Sequence, residues 1–168
     1  MKNFIVLCFL ALFYSCNDGD IQIETIDFDS VGISNCEATV TTSSTIFFKL
    51  NDKESLILEL QSGVLKNEVS SEEITSLVPS QSQVTYRVFS DNVGSDYFCD
   101  DIPTTTPLVI EEIEAEDGEI LVTTTLAEGT TDTFEHAIRL SGITFITSQD
   151  ERITDLQISE FGTVTTSE

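Results

Sequence analysis

The stretch "TFEHAIRL", Thr133–Leu140, decides the fold class of this chain. Its side chains fall on two faces: Phe134, His136, Ile138 and Leu140 on one, Glu135, Ala137 and Arg139 on the other. Strict alternation of this kind has the period of a β-strand with one buried face. The stretch therefore predicts a strand that packs its apolar face on a core.

The same alternation recurs outward from this stretch, in 46–50, 55–60 and 84–89. Asp117-Gly118 lies between two apolar runs and predicts a hairpin turn. Gly142 similarly predicts a break between the strand ending at Leu140 and the run "ITFI". Short strands without amphipathic helices predict an all-β fold, an antiparallel β-sandwich in a single domain.

Only Ser70–Leu77, "SSEEITSL", carries a helix signal. A serine followed three residues later by glutamate resembles a capping box, so this segment predicts a short helical turn.

The N-terminus predicts export. Lys2 precedes an apolar run at 4–14 that is too short to cross the ~30 Å hydrocarbon core of a bilayer as a helix. Residues 1–15 are therefore predicted to be a cleaved signal peptide, followed at 16–27 by an acylated Cys16 with an acidic tether or first strand, and at 28–168 by the β domain. Ser15-Cys16 resembles the lipobox of bacterial lipoproteins, and such lipoproteins of Bacteroidota tolerate bulky residues like Phe13 and Tyr14 there. The alternative is an ordinary secretory signal that ends near a free cysteine.

Four cysteines divide by position. Cys8 leaves with the signal peptide and Cys16 is the predicted lipidation site, which leaves Cys36 and Cys99. A remaining pair in an exported chain predicts one disulfide, the alternative being two unpaired buried thiols. Two cysteines with a single histidine do not supply the four ligands of a structural zinc site.

Charge limits the partners. Thirty acidic residues oppose seven basic ones, for a net charge of −23. Such a chain repels phosphate backbones, so the sequence predicts no nucleic-acid binding. The acidity otherwise indicates a well-solvated surface that attracts cations.

No enzyme motif is present in the sequence. His136 is the single histidine, and its phase with Phe134 and Ile138 predicts a structural role in the core rather than a catalytic one. The chain lacks a P-loop, a GxGxxG motif and a GxSxG elbow. The sequence therefore predicts a non-enzymatic protein without a cofactor.

One acidic loop is a weak calcium candidate. In "SDNVGSDYFCDD" the candidate ligands are Asp91, Asp96, Asp100 and Asp101, together with Asn92; Asp18 and Asp20 form a weaker pair near Cys16. Neither group has the spacing of a calcium-binding loop, so the alternative is a polar loop leading into the disulfide.

Aromatic residues do not suggest a sugar-stacking platform. The chain has no Trp, and only Tyr86 and Tyr97 follow the signal peptide. Tyr97 and Phe98 beside Cys99 are expected to pack around the disulfide.

Three stretches characterise the body of the chain: "TIFFKLN" after Cys36, "DYFC" at Cys99 before the turn with Pro103 and Pro107, and "TFEHAIRLSGITF". In these stretches the chain resembles small flavobacterial lipoproteins of uncharacterised function. The resemblance implies an outer-membrane, lipid-anchored protein, exposed on the cell surface or else on the periplasmic face, and it implies no activity.

Two roles follow as expectations. The first is a non-catalytic envelope protein with a structural, adhesion or accessory role. The second is a small binding module for a glycan, a peptide or Ca²⁺ beside an outer-membrane transporter. An exposed apolar patch would favour binding, and a uniformly acidic surface would favour the first role.

Overall fold

The computed structural model describes residues 26, 28–102, 104–148, 150, 152–154 and 159–168. This part of the chain is all-β and antiparallel, as predicted, with about half of the described residues in strands. The strands are β1 (Ile46–Asn51), β2 (Glu54–Glu59), β3 (Ile74–Val78), β4 (Gln83–Phe89), β5 (Val109–Leu126), β6 (Thr133–Ile146), β7 (Arg152–Thr154) and β8 (Ser159–Ser167), with one short helix, α1 (Asp96–Cys99).

The strands form one eight-stranded sheet in the order β1-β2-β4-β5-β6-β7, with β3 also paired to β5 and β8 to β6. β4 pairs with the first part of β5, whereas β3 pairs with residues 118–122 of the same strand. β1, β2, β4 and the start of β5 make the first half of the sheet, and the other strands with the rest of β5 make the second half. Because β5 runs through both halves, the sheet is one curled half-barrel, and the two separate layers of the predicted sandwich are not seen.

The hairpin predicted at Asp117-Gly118 is wrong, because both residues lie inside the 18-residue strand β5. The pairing of β5 with β6 shifts register on either side of Asp117, and Gly118 has a φ of +129°. These shifts are β-bulges, which bend a strand without ending it. The break predicted at Gly142 is wrong for the same reason, since β6 continues through it at a φ of +62°.

The helical turn predicted at Ser70–Leu77 is also wrong. Ile74–Val78 forms β3, whose residues pair with Gly118–Val122 of β5. Just before this strand, the Ser70 N–H donates to the Thr124 carbonyl at 3.0 Å. Pairing with a distant strand therefore overrides a local helix signal.

The core lies inside the curl of the sheet. The alternating face predicted from "TFEHAIRL" is buried, including Phe134, Ile138 and Leu140. Across from it, the first half contributes Phe47 of β1 and Leu58 of β2, both fully buried. The halves thus share one hydrophobic core.

Candidate functional site

The outer face of the first half of the sheet carries an unexpected apolar row. Phe48 of β1 pairs with Ile57 of β2, which pairs with Thr85 of β4. Their strand neighbours point into the shared core, so these three side chains belong to the opposite face. All three are nonetheless buried, Phe48 completely. A second layer of residues therefore covers this face.

Helix α1 supplies part of that layer. The Phe98 ring stacks on the Phe48 ring, with centroids 4.7 Å apart and an interplanar angle of 20°. The Tyr97 ring meets Phe89 edge to face at 5.1 Å. The two aromatic residues are half-buried in a small outer cluster. This confirms that they pack beside the disulfide instead of forming an exposed platform.

The disulfide joins α1 to the segment before β1. Cys36 and Cys99 are bonded, with their Cα atoms 5.0 Å apart, which confirms the predicted pairing. Cys99 is the last residue of α1, whereas Cys36 begins a loop that leads to β1. The bond therefore holds both parts of the outer layer against the sheet.

A cleft of about 400 Å³ lies between this outer layer and the sheet. Its apolar surface comes from Ile46, Phe48, Ile57 and Phe98. Charged side chains complete the lining, with Glu37 and Glu59 as the acids and Arg87 as the base. The volume is within the range of small-ligand pockets, ~300–1,000 Å³.

Among the described residues, one basic side chain lines the cleft, and an acid holds it in place. Arg87 forms an ion pair with Glu112, the residue that faces it across β4 and β5. Glu37 accepts a hydrogen bond from the hydroxyl of Ser44. The charged lining is therefore positioned by hydrogen bonds, while the apolar surface is positioned by aromatic stacking.

His136 lies far from solvent in the core. Its Nδ1 is 2.8 Å from the Thr124 hydroxyl and its Nε2 is 2.8 Å from the Thr166 hydroxyl. Because Thr166 donates its own proton to Asn67 Oδ1 at 2.5 Å, it accepts from Nε2–H, and Thr124 donates to Nδ1. Burial lowers the pKa of His136, so the ring is neutral. This confirms the structural role expected from its position in the strand.

The calcium candidates lie on the surface around α1. Asp91 is 3.7 Å from the Lys53 ammonium, and its Oδ1 accepts the Asn92 N–H. Asp96 begins α1, while Asp100 follows the helix and donates its N–H to the Asp96 carbonyl. Within the described residues, no three His, Cys, Asp or Glu side chains come together in a group suited to a metal ion.

Other predicted site residues fall elsewhere. Asp101 is exposed beyond α1. Cys16, Asp18 and Asp20 lie outside the described residues. Lipidation, the tether and the weaker calcium pair therefore stay predictions.

Sequence reasoning missed the cleft, although a signal was present. Alternation grouped Phe48 with Ile46 and Leu50, and it placed Ile57 on the face opposite Leu56 and Leu58, so neither strand was expected to be covered on both faces. Yet "FF" in β1 and the unbroken "LIL" in β2 are apolar on both faces, which is typical of a strand covered on both sides.

An exposed apolar run was also missed. Leu108, Val109 and Ile110 are all exposed around the start of β5, Ile110 with 67% of its surface accessible. Ile102, in the loop before them, is 83% accessible. Exposed apolar groups that follow one another in this way mark interaction surfaces more often than scattered ones do.

Comparison of the chain with the models of known protein families, with curated proteins and with solved structures finds no match. Among the described residues there is no helix with the length and apolar character needed to cross a bilayer.

Proposed function

We propose that this chain is a lipoprotein of the outer membrane, anchored through acylated Cys16, whose acidic β domain has a non-catalytic adhesion or accessory role. The anchor is supported by the apolar run at 4–14 and by Ser15-Cys16 at its end. In this proposal the domain is displayed on the cell surface, and the two halves of the curled sheet act as the two layers of a β-sandwich.

The exposed apolar run departs from the uniformly acidic surface expected of a purely structural or adhesive domain and favours binding, so it supports the accessory form of this role, in which the domain binds a partner protein. The chain has a net charge of −23, and its many charged side chains keep its surface solvated. Ile102, Leu108 and Ile110 are nonetheless largely exposed to water. A partner that covers these side chains would remove apolar area from water, which is favourable at about 25 cal/mol per Å². The run is therefore the surface through which the domain contacts a neighbouring envelope protein.

A non-catalytic role is supported by the position of His136. Its ring is fully buried, and both of its nitrogens are occupied by threonine hydroxyls. It therefore does not reach a solute as a general base. The chain has no second histidine that could act as a general base.

The anchor is tested with Cys16→Ala in the native host. The wild-type protein is expected in the membrane fraction and labelled by a palmitate analogue, and the variant is expected to be unlabelled and soluble. Protease treatment of intact cells then tests display, with a periplasmic protein as the protected control. Unlabelled wild type, or a domain cut only after the outer membrane is permeabilised, contradicts the anchor or the surface display respectively.

The apolar run is tested by a photo-crosslinking residue placed at Ile110 in growing cells. Leu126 is the matched control position, because it is also an exposed apolar residue of β5 but lies at the other end of the strand. A discrete crosslink to an envelope protein is expected at 110 and not at 126. No crosslink at 110, or the same product at both positions, contradicts the accessory role.

A second candidate function is favoured by the cleft: a small module that binds a peptide or a glycan beside a transporter. The lining combines an apolar surface with both signs of charge, which suits a ligand that is partly apolar and partly polar. Ca²⁺ is the third ligand of this second candidate function, and its binding is tested by titration calorimetry with the metal alone.

Ile46 lines the cleft and is half-exposed, so Ile46→Arg narrows the site without disturbing the core. Leu77→Arg is the control, since Leu77 is similarly exposed but lies on β3, outside the cleft. In a screen of peptides and oligosaccharides, a ligand of the cleft is expected to lose about tenfold in affinity with the first variant and to keep it with the second. Equal effects of the two variants on every ligand found contradict binding in the cleft.

A further inference from the structure

The start of β5 has an open edge. Residues 109–114 pair with β4 on one side, while pairing with β6 on the other side begins only at Ala115. Among the described residues, nothing is hydrogen-bonded to that other side of Val109–Glu114. An antiparallel strand directs alternate N–H and C=O pairs to opposite neighbours, so about three such pairs point to the open side.

There is space beside this edge for another chain. A cavity of about 640 Å³ is lined on the β5 side by Glu112, Ile113 and Glu114. On the other side it is lined by Ile146, where β6 ends, and by Thr147 and Ser148 beyond it. The end of β6 and the beginning of β5 thus border a groove that runs along the unpaired backbone.

The side chains of this edge are acidic and favour a partner strand of positive charge. Alternation puts Ile110, Glu112, Glu114 and Glu116 on the outward face, opposite the buried Ile113 and Ala115. Residues 109–116, "VIEEIEAE", contain no basic residue. Glu112 is paired with Arg87, whereas Glu114 and Glu116 are exposed acids without an ion pair among the described residues. Opposite charges across neighbouring strands stabilise the pairing and like charges destabilise it.

We propose that the open edge of β5, Val109–Glu114, binds an extended segment of a partner protein that carries Lys or Arg at alternate positions. The partner adds a strand to the sheet through its backbone, and its basic side chains lie beside Glu114 and Glu116. Its other side chains cover the exposed apolar run at the same end of β5. A second copy of this chain is disfavoured, since pairing of two such edges brings glutamate beside glutamate.

This inference names the partner chemistry of the proposed accessory role, but it does not depend on acylation of Cys16. Strand addition at β5 and the accessory role can therefore be refuted separately. A crosslink at position 110 without strand addition would leave the accessory role standing, with a different mode of contact.

The test is fluorescence anisotropy of a short labelled peptide of alternating lysine and valine, titrated with the purified full-length protein. Glu114→Lys/Glu116→Lys is expected to weaken binding about tenfold or more. The matched control is Glu119→Lys/Glu135→Lys, which changes the net charge equally. Glu119 and Glu135 are exposed, but each pairs with a strand on both sides.

A second peptide separates strand addition from simple attraction between charges. N-methylation of alternate residues removes backbone N–H donors while keeping every lysine, so binding is expected to fall about tenfold. Amide hydrogen exchange is expected to slow in 110–114 when the unmodified peptide is bound.

Four results would overturn the proposal. Three are equal binding of the methylated peptide, equal losses in the two charge variants, and slow exchange, already in the free protein, of those amides of 110–114 that point to the open side. The last of these would mean that another segment of this chain covers the edge. The fourth is the absence of binding of the unmodified peptide at low salt.

Discussion

Gly118→Ala tests how the sheet is able to curl. Gly118 lies at the bulge in β5 with a φ of +129°, a conformation that residues with a Cβ rarely adopt. A Cβ built at this position would be 2.9 Å from the Ile143 Cα and 3.0 Å from its backbone nitrogen. The nearest atom, the Ile143 Cδ1 at 2.7 Å, is the flexible end of a side chain and can turn aside, but the Cα and the nitrogen belong to the backbone of β6, which cannot move so easily.

The magnitude follows from two contributions. A positive φ at a non-glycine residue costs about 1–2 kcal/mol. Overpacking against a neighbour that cannot move costs a further ~1–3 kcal/mol. Gly118→Ala is therefore expected to lower the free energy of unfolding by about 2–5 kcal/mol. Gly63→Ala is the control, because Gly63 has a φ of +84° and a Cβ added there would have nothing within 4 Å, so only the first contribution applies.

Urea unfolding of both variants, followed by circular dichroism, measures the difference. Gly118→Ala is expected to be less stable than Gly63→Ala by at least about 1 kcal/mol, with a similar slope against urea. Equal losses in the two variants would refute the close approach of β5 and β6 at this bulge. A Gly118→Ala variant as stable as the wild type would mean that position 118 does not hold the positive φ that this bulge requires.

Three further predictions concern the core and the outer layer. Cys36→Ala/Cys99→Ala opens a loop with a sequence separation of 63 and is expected to lower the free energy of unfolding by ~4 kcal/mol in urea titrations; a loss below ~1 kcal/mol would contradict a structural disulfide. Because burial lowers the pKa of His136, the unfolded chain binds more protons than the folded one below a pH of about 6.5. As the pH falls below that value, the free energy of unfolding of the wild type should decrease by up to ~1.4 kcal/mol per pH unit relative to His136→Gln. The decrease should stop once the pH falls below the lowered pKa. Parallel pH curves for these two proteins would argue against a buried neutral ring. Phe98→Ala removes the ring stacked on Phe48 and is expected to lower stability by about 1–2 kcal/mol in thermal unfolding, whereas an unchanged melting temperature would mean that α1 does not pack on the sheet.

The fold class was predictable because one physical signal dominates it. Period-two alternation in "TFEHAIRL" reflects a face that has to be buried, and that face is buried in β6. The disulfide was predictable because only Cys36 and Cys99 remain once the predicted signal peptide and lipidation site are set aside. The role of His136 followed from the same alternation, since it shares the face of Phe134 and Ile138.

The bends of the sheet were not predictable from local sequence. Asp-Gly between apolar runs is as suitable for a hairpin as for a bulge, because both require a residue with positive φ. At Gly118 the bulge forms because β3 and β6 pair with β5, one on each side, on through this position. Long-range pairing likewise places the second half of the predicted turn, residues 74–77, in β3. Such pairing cannot be derived from a few adjacent residues.

The cleft depends on the disulfide between Cys36 and Cys99, so its formation depends on the redox state of the compartment. Helix α1 has four residues and no fully buried side chain, and its N-terminus lacks a side-chain capping hydrogen bond. So short a helix is not stable by itself in water. What keeps it on the sheet is the packing of Phe98 on Phe48 and of Tyr97 on Phe89, together with the bond from Cys99 to Cys36.

Reduction of the disulfide would leave the aromatic contacts of Phe98 and Tyr97 to offset the entropy lost when both covering segments are ordered. Fixing the backbone costs about 1–2 kcal/mol for each residue, whereas an aromatic pair contributes about 1 kcal/mol beyond its buried area. The outer layer is therefore expected to detach in a reducing compartment, and the cleft with it. Since disulfides persist in oxidising compartments, a complete cleft requires the export that the N-terminal sequence predicts.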